Sequence, residues 1–140
     1  RMILPEGMIV YTEDKNGNRS EYTCDGKKEL EVPLVVLVDG NSASASEIMA
    51  GAIKDYGLGT LVGTTTFGKG IVQQIIPFRD GSAVKVTISS YFTPKGNNIH
   101  GIGVEPDIVC EFDGEAYYGS EDRPDNQLEK AKEVLKGMLK

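Results

Sequence analysis

The chain has 140 residues, 39% apolar and 26% charged, which suits one compact domain with its own core and is unlike disordered, collagen-like or disulfide-scaffold compositions. Fifteen basic against 21 acidic residues give a net charge of −6, with no basic stripe, which argues against nucleic acid and anionic membrane surfaces as partners. No run approaches the roughly 20 apolar residues that span a bilayer, and a single histidine, His100, argues against a His-rich metal site.

Arg1-Met2-Ile3-Leu4-Pro5 lacks the parts of a signal peptide and reads as a cut into a longer chain. Residues 8–12 and 20–23 are rich in β-branched and aromatic side chains and flank Asn16-Gly17, which predicts a hairpin. Residues 34–38 are apolar at every position, the pattern of a strand covered on both faces in a parallel sheet. After Asp39-Gly40-Asn41, the spacing of Ile48, Met49, Ala52, Ile53 and Tyr56 predicts a helix over 42–56 that Gly57 stops. Residues 60–63 resume as a strand, completing a βαβ unit. Residues 71–78 and 83–92 read as an antiparallel hairpin about Arg79-Asp80-Gly81-Ser82, and 108–112 as a last strand. Residues 113–125 read as a structureless acidic linker, and Leu128, Ala131, Leu135 and Met138 place a helix over 126–140. Cys24 and Cys110 are compatible with one bridge, but they lie far apart and in no CxxC pattern, so they fix no compartment.

Several motifs compete for a functional role. Gly63-Thr64-Thr65-Thr66-Phe67-Gly68-Lys69-Gly70 approximates a phosphate-binding loop, but Gly70 stands where the hydroxyl for magnesium belongs, and a strand follows rather than a helix. Ser82-Ala83-Val84-Lys85 has the Ser-x-x-Lys spacing, but it falls in a strand, where those two side chains point to opposite faces. Gly40-Asn41-Ser42-Ala43-Ser44 nearly spells a nucleophile elbow in the right setting, a strand turning sharply into a helix. On local pattern alone, Ser44 with Glu47 is equally a capping box. His100, among loop residues Asn97 and Asn98, reads as a surface histidine rather than a base.

Two segments taken together change the balance. Residues 38–48, with the Ser42-Ala43-Ser44-Ala45-Ser46 run, followed by 63–73, with Phe67-Gly68-Lys69-Gly70 and Gln73, resemble the C-terminal processing peptidases, or tail-specific proteases, of serine peptidase family S41. Tyr91-Phe92-Thr93-Pro94 and Gly103-Val104-Glu105-Pro106-Asp107-Ile108 resemble that family's later strand and its Gly-Ile-Glu-Pro-Asp signature. The resemblance implies a serine–lysine dyad with Ser44 as nucleophile, Lys69 as base, Gln73 orienting the lysine and the Ala45 amide as an oxyanion donor. Such a lysine must lose its proton, which requires a dry environment because a free lysine has a pKa near 10.4. Phe67, Ile71 and the 34–38 strand are expected to supply that environment. The implied fold is α/β, crotonase-like (ClpP-like) and incomplete: a mixed sheet with a βαβ unit and β-hairpins, plus the C-terminal helix. Residues 1–112 would be the C-terminal part of the catalytic domain. No metal or organic cofactor is implied.

Family members carry an upstream PDZ domain and an earlier strand ending in Gly-Gly that completes the oxyanion hole. Neither stands before Arg1, so weak or absent turnover is expected of this chain by itself. The expected partner is an extended polypeptide, with a second copy of the chain recruited through exposed sheet edges. The implied location is extracytoplasmic. The competing expectation is a non-catalytic peptide-binding or scaffold module of the same fold.

Overall fold

The structure is a computed structural model that describes residues 3–139; Arg1 and Met2, where the chain was read as cut, and Lys140, the end of the predicted C-terminal helix, lie outside the described residues. The elements run β1 (Glu6–Asp14), β2 (Arg19–Asp25), β3 (Val35–Val38), α1 (Ala45–Tyr56), β4 (Thr60–Gly63), β5 (Ile71–Pro77), β6 (Ala83–Phe92), β7 (Ile108–Val109), α2 (Gly114–Gly119) and α3 (Asn126–Met138). They form two sheets, one antiparallel in the order β2-β1-β6-β5 and one of three strands in the order β3-β4-β7.

The parallel sheet arises as its sequence predicts. β3 pairs with β4 in parallel across Val35–Thr60 to Val38–Gly63, and α1 is the crossover between them. β7 adds in parallel on the other side of β4. The Asp107 carboxylate accepts from the Leu61 N–H at 2.8 Å and pairs with Lys54 at 3.3 Å, so the Glu-Pro-Asp segment locks β4 and α1 together. β3 differs from the expectation of a strand covered on both faces. It is an edge strand, and Leu37 keeps 42% of its surface exposed.

In the antiparallel sheet the β1–β2 hairpin forms about Asn16-Gly17, with the Asp14 carboxylate accepting from the Asn16 and Asn18 N–H groups at 2.8 and 2.9 Å. A free phenol would clash or need water in a core; here the Tyr56 hydroxyl donates to the Met8 carbonyl at 2.8 Å and ties the end of α1 to β1. Leu4, Cys24, Val38, Ala50, Ala52, Ile53, Leu61 and Val104 make the core, with Ile53 and Leu61 wholly buried. Cys24 and Cys110 are both free thiols.

Two expectations for the C-terminal third need correction. β7 is only two residues long. The acidic stretch 113–125 is not structureless: Asp113 caps the short helix α2, accepting from the Ala116 N–H at 2.9 Å, and Phe112, Tyr117 and Tyr118 cluster beside it. Asp125 caps α3, whose Asn126 and Gln127 amides donate to the Glu111 and Cys110 carbonyls at 2.7 Å each, holding α3 against the end of β7.

The Ile53→Ala substitution removes a side chain with no exposed surface and leaves a cavity between α1 and the parallel sheet. It should destabilise the chain by about 2–5 kcal/mol in denaturant unfolding.

Candidate active site

Two loops meet at the C-terminal ends of β3 and β4. The first, residues 39–44, is shaped by Asp39. Its carboxylate accepts from the Asn41 and Ser42 N–H groups at 3.1 and 2.9 Å and from the Ser42 hydroxyl at 2.9 Å. The Ser42 hydroxyl in turn accepts from the Asp39 N–H at 3.1 Å, so this serine is committed to the turn. The Ser42 hydroxyl is the chief cause that holds the Asp39 carboxyl below its ordinary range, with burial opposing it and Asn41 assisting.

Ser44 follows with φ 56° and ψ −112°, a left-handed backbone that a residue with a Cβ rarely adopts. Strain of this kind costs on the order of 1–3 kcal/mol and persists only where surrounding contacts over-determine it. Ser44 is the N-cap of α1. The Glu47 N–H donates to the Ser44 carbonyl at 3.0 Å, and Ser44 and Glu47 together have the arrangement of a capping box, the Glu47 carboxylate accepting from the Ser44 N–H at 2.9 Å. Ala45 is the first helical residue, so its N–H has no intrahelical acceptor and faces outward with the positive end of the helix dipole.

The second loop, residues 64–70, alternates in burial and turns at Gly68, whose φ is 84°. Thr66, Gly68 and Gly70 are buried, while Thr65, Phe67 and Lys69 are exposed. Its inward side rests backbone-to-backbone on residues 99–103. A Cβ on Gly70 would fall on the His100 N–H and within 2.8 Å of the Ile99 carbonyl carbon, so only glycine fits there. His100 thus contributes its backbone to the platform, and its ring is exposed.

One side chain joins the two loops. Glu47, in the first turn of α1, has no exposed surface. One of its carboxylate oxygens accepts from the Thr66 hydroxyl and the Gly68 N–H, both at 2.6 Å. The other accepts from the Ser44 N–H at 2.9 Å and the Lys69 N–H at 2.8 Å. Thr66 then accepts from the Val104 N–H at 2.7 Å, which adds the Gly-Val-Glu-Pro-Asp segment to the same network. A hydrogen bond from the Phe67 N–H to the Ser42 carbonyl at 3.0 Å makes a further stitch between the loops. Four donors around a buried carboxylate balance its desolvation, and removal of the carboxylate would leave each donor stranded.

The residues singled out from sequence are therefore brought together unequally. Ser44 and Lys69 are held by their backbones to one oxygen, and Ala45 adjoins Ser44. The expected dry surroundings of Lys69 are not formed by this chain: the Lys69 side chain is exposed and Phe67 is 66% exposed, because alternation turns both outward while β3 remains an edge. Gln73 lies opposite Thr87 on the β5–β6 ladder and donates to its hydroxyl at 3.3 Å rather than to Lys69. Sequence reasoning gave Glu47 no role beyond a cap, although a glutamate three residues after the elbow serine was the available signal.

Two outcomes follow from this geometry. Glu47→Gln replaces an acceptor by a donor facing two N–H groups and should cost about 2–4 kcal/mol in denaturant unfolding, with Glu47→Ala at least as damaging. Asp39 has a lowered folded pKa, so its stabilisation is complete above about pH 4 and is lost as pH falls through that lowered value. Asp39→Asn should therefore lose stability at neutral pH and show a smaller further loss on acidification, measured by unfolding at about pH 7 and about pH 3.

The sequence profile of peptidase family S41 matches residues 1–110. A carboxyl-terminal-processing protease of Synechocystis sp. is 46% identical over 111 residues, covering 79% of this chain and 26% of the relative. One from Picosynechococcus sp. is 41% identical over 137 residues, covering 96% of this chain and 33% of the relative. The solved structure of a photosystem II D1 C-terminal processing protease superposes with a TM-score of 0.74 at 44% identity, over 79% of this chain and 29% of that one. The chain thus spans about a quarter to a third of the length of these relatives. The chain belongs to peptidase family S41.

Proposed function

We propose that the chain carries the serine–lysine part of a peptidase that cleaves extended polypeptides near their C-termini. The observation that carries this reading is the strained Ser44, poised at a helix N-terminus and fixed through Glu47 to the backbone of Lys69. In the reaction Ser44 Oγ attacks the scissile carbonyl carbon while its proton passes to the neutral amine of Lys69. The oxyanion that forms takes a hydrogen bond from the Ala45 N–H. Collapse breaks the C–N bond, Lys69 returns the proton to the leaving amine, and an ester on Ser44 remains. Water then attacks that ester, giving its proton to Lys69, and as the Oγ–acyl bond breaks Lys69 passes that proton to Ser44 Oγ, releasing the carboxylic acid product. Gln73 is assigned the orientation of Lys69 by its place in the family pattern.

The architecture is proposed to be crotonase-like, with residues 1–112 as part of the catalytic domain, 113–125 as a connector and 126–140 as a C-terminal helix. The site is proposed to work outside the cytoplasm on substrates with apolar tails, with a second copy of the chain recruited at the exposed edges. No helix of the described residues is long and apolar enough to cross a membrane. The outward Lys69 side chain supports slow turnover by this chain alone and favours one competing reading, a non-catalytic peptide-binding module in which Ser44 only caps α1.

A fluorophosphonate, which phosphonylates an activated serine with loss of fluoride, separates the two. The dyad predicts a covalent adduct at Ser44 by intact mass, absent in Ser44→Ala and slowed about 10²–10⁴-fold in Lys69→Met. A Ser44 no more reactive than Ser46, or one indifferent to Lys69→Met, makes the chain a binding module.

A further inference from the structure

The antiparallel sheet carries an irregularity that changes what its surface presents. Val72 pairs with Ser89 and Gln73 with Thr87, so Ile88 is an extra residue in β6. Side chains alternate between faces along a strand, and directly paired residues share a face. Without the extra residue, Val84 and Val86 would lie on the face opposite Ser89 and Tyr91. With it, Ile76, Val84 and Val86 share one face with Val72, Gln74, Ser89, Tyr91, Val10, Thr12 and, at the end of β1, Asp14. At the inner end of this face is a cavity of about 530 Å³ lined by Val10, Tyr22, Ile48, Val72, Ile88 and Tyr91, together with Thr12, Ser20 and Ser89. At its outer end Ile76, Val84, Val86 and Ile88 are each about two-fifths exposed. Lys85 and Thr87 fall on the other face.

The cavity at its inner end has no charged side chain in its lining, Asp14 standing at the end of β1 opposite Ser89, and it adjoins the two loops of the candidate site. Ile48 is one helical turn beyond Ser44, to whose carbonyl its N–H donates at 3.0 Å, and Val72 is three residues beyond Lys69. Resting on the peptidase reading above, we propose that this face is a substrate track: it takes the aliphatic side chains at alternate positions of an extended polypeptide and leads them towards Ser44. Such an occupant matches the surface in chemistry and period, because every second side chain of an extended chain points one way. It also adds apolar area near Lys69, which this chain alone leaves open. Exposed apolar surface of this extent on an acidic protein otherwise carries an aggregation cost.

The test measures fluorescence anisotropy of a fluorescein-labelled, unstructured peptide with leucine and valine at alternate positions, titrated with the Ser44→Ala chain. Val86→Asp and Ile76→Asp should each weaken binding at least about tenfold, because a carboxylate would have to be desolvated under the peptide. Val86→Ser and Ile76→Ser should weaken it in the same order by less, and thermal melts report whether each variant is folded. Thr87→Asp, on the opposite face, should stay within about twofold, and a peptide with serine at the alternate positions should bind at least about tenfold more weakly. Absence of saturable binding, or equal losses from Thr87→Asp and Val86→Asp, overturns the track. So does sedimentation showing that Val86→Asp only dissolves a dimer while peptide affinity stands, which would make the occupant a second copy. Fluorophosphonate labelling of the otherwise unaltered chain stands apart from these outcomes. A labelled Ser44 with no peptide binding removes the track and keeps the peptidase, and the reverse removes the peptidase and keeps a peptide-binding face.

Discussion

A single buried carboxylate organises the candidate site. Glu47 lies in the first turn of α1 with no contact with water, and it accepts from two N–H groups on the lysine loop, one on the serine loop and the Thr66 hydroxyl. A buried charge is tolerated only when its lone pairs are filled, and here every filling donor comes from a segment whose position matters. The helix N-terminus adds its own positive field around the same group. The constraint works in both directions: the loops satisfy the carboxylate, and the carboxylate fixes the distance between the backbones of Ser44 and Lys69. It also supplies the force that keeps Ser44 in a left-handed conformation it would otherwise leave.

The alternation of the 64–70 segment explains why the site is half built. With Thr66, Gly68 and Gly70 turned inward to meet Glu47 and residues 99–103, Phe67 and Lys69 must turn outward. Precise backbone placement and an uncovered lysine are two results of the same alternation in burial, along a loop that turns at Gly68. Local backbone order and global openness therefore do not conflict.

Much of the fold was legible in the residues. The unbroken apolar run at 34–38 marks a parallel strand, the three- and four-residue spacing after Ser44 marks α1, and Asn16-Gly17 marks the first hairpin. What escaped depends on partners distant in sequence. Among the described residues β3 is an edge strand and Leu37 stays exposed, and no local pattern encodes either. The helix α2 escaped because its only strong local signal is a capping Asp113 followed by glycine, within an acidic run that looks unstructured. Within the site, Ser44, Ala45 and Lys69 were marked by motif, but Glu47 was hidden by a chemically correct and incomplete explanation, since a capping glutamate satisfies one donor and this one satisfies four. Gln73 shows the converse limit: a shared strand face permits contact with Lys69, but a cross-strand hydroxyl at Thr87 lies nearer.

The most direct measurement of the clamp is amide hydrogen exchange by NMR at Ser44, Gly68 and Lys69, with Val62 in the core as reference. If Glu47 holds both loops, all three amides are protected although Lys69 sits in an exposed position, and all three lose protection together in Glu47→Ala while Val62 keeps its own. Exchange at the rate of a free amide in the unaltered chain, or protection that survives Glu47→Ala, would show that something other than this carboxylate sets the geometry of the site.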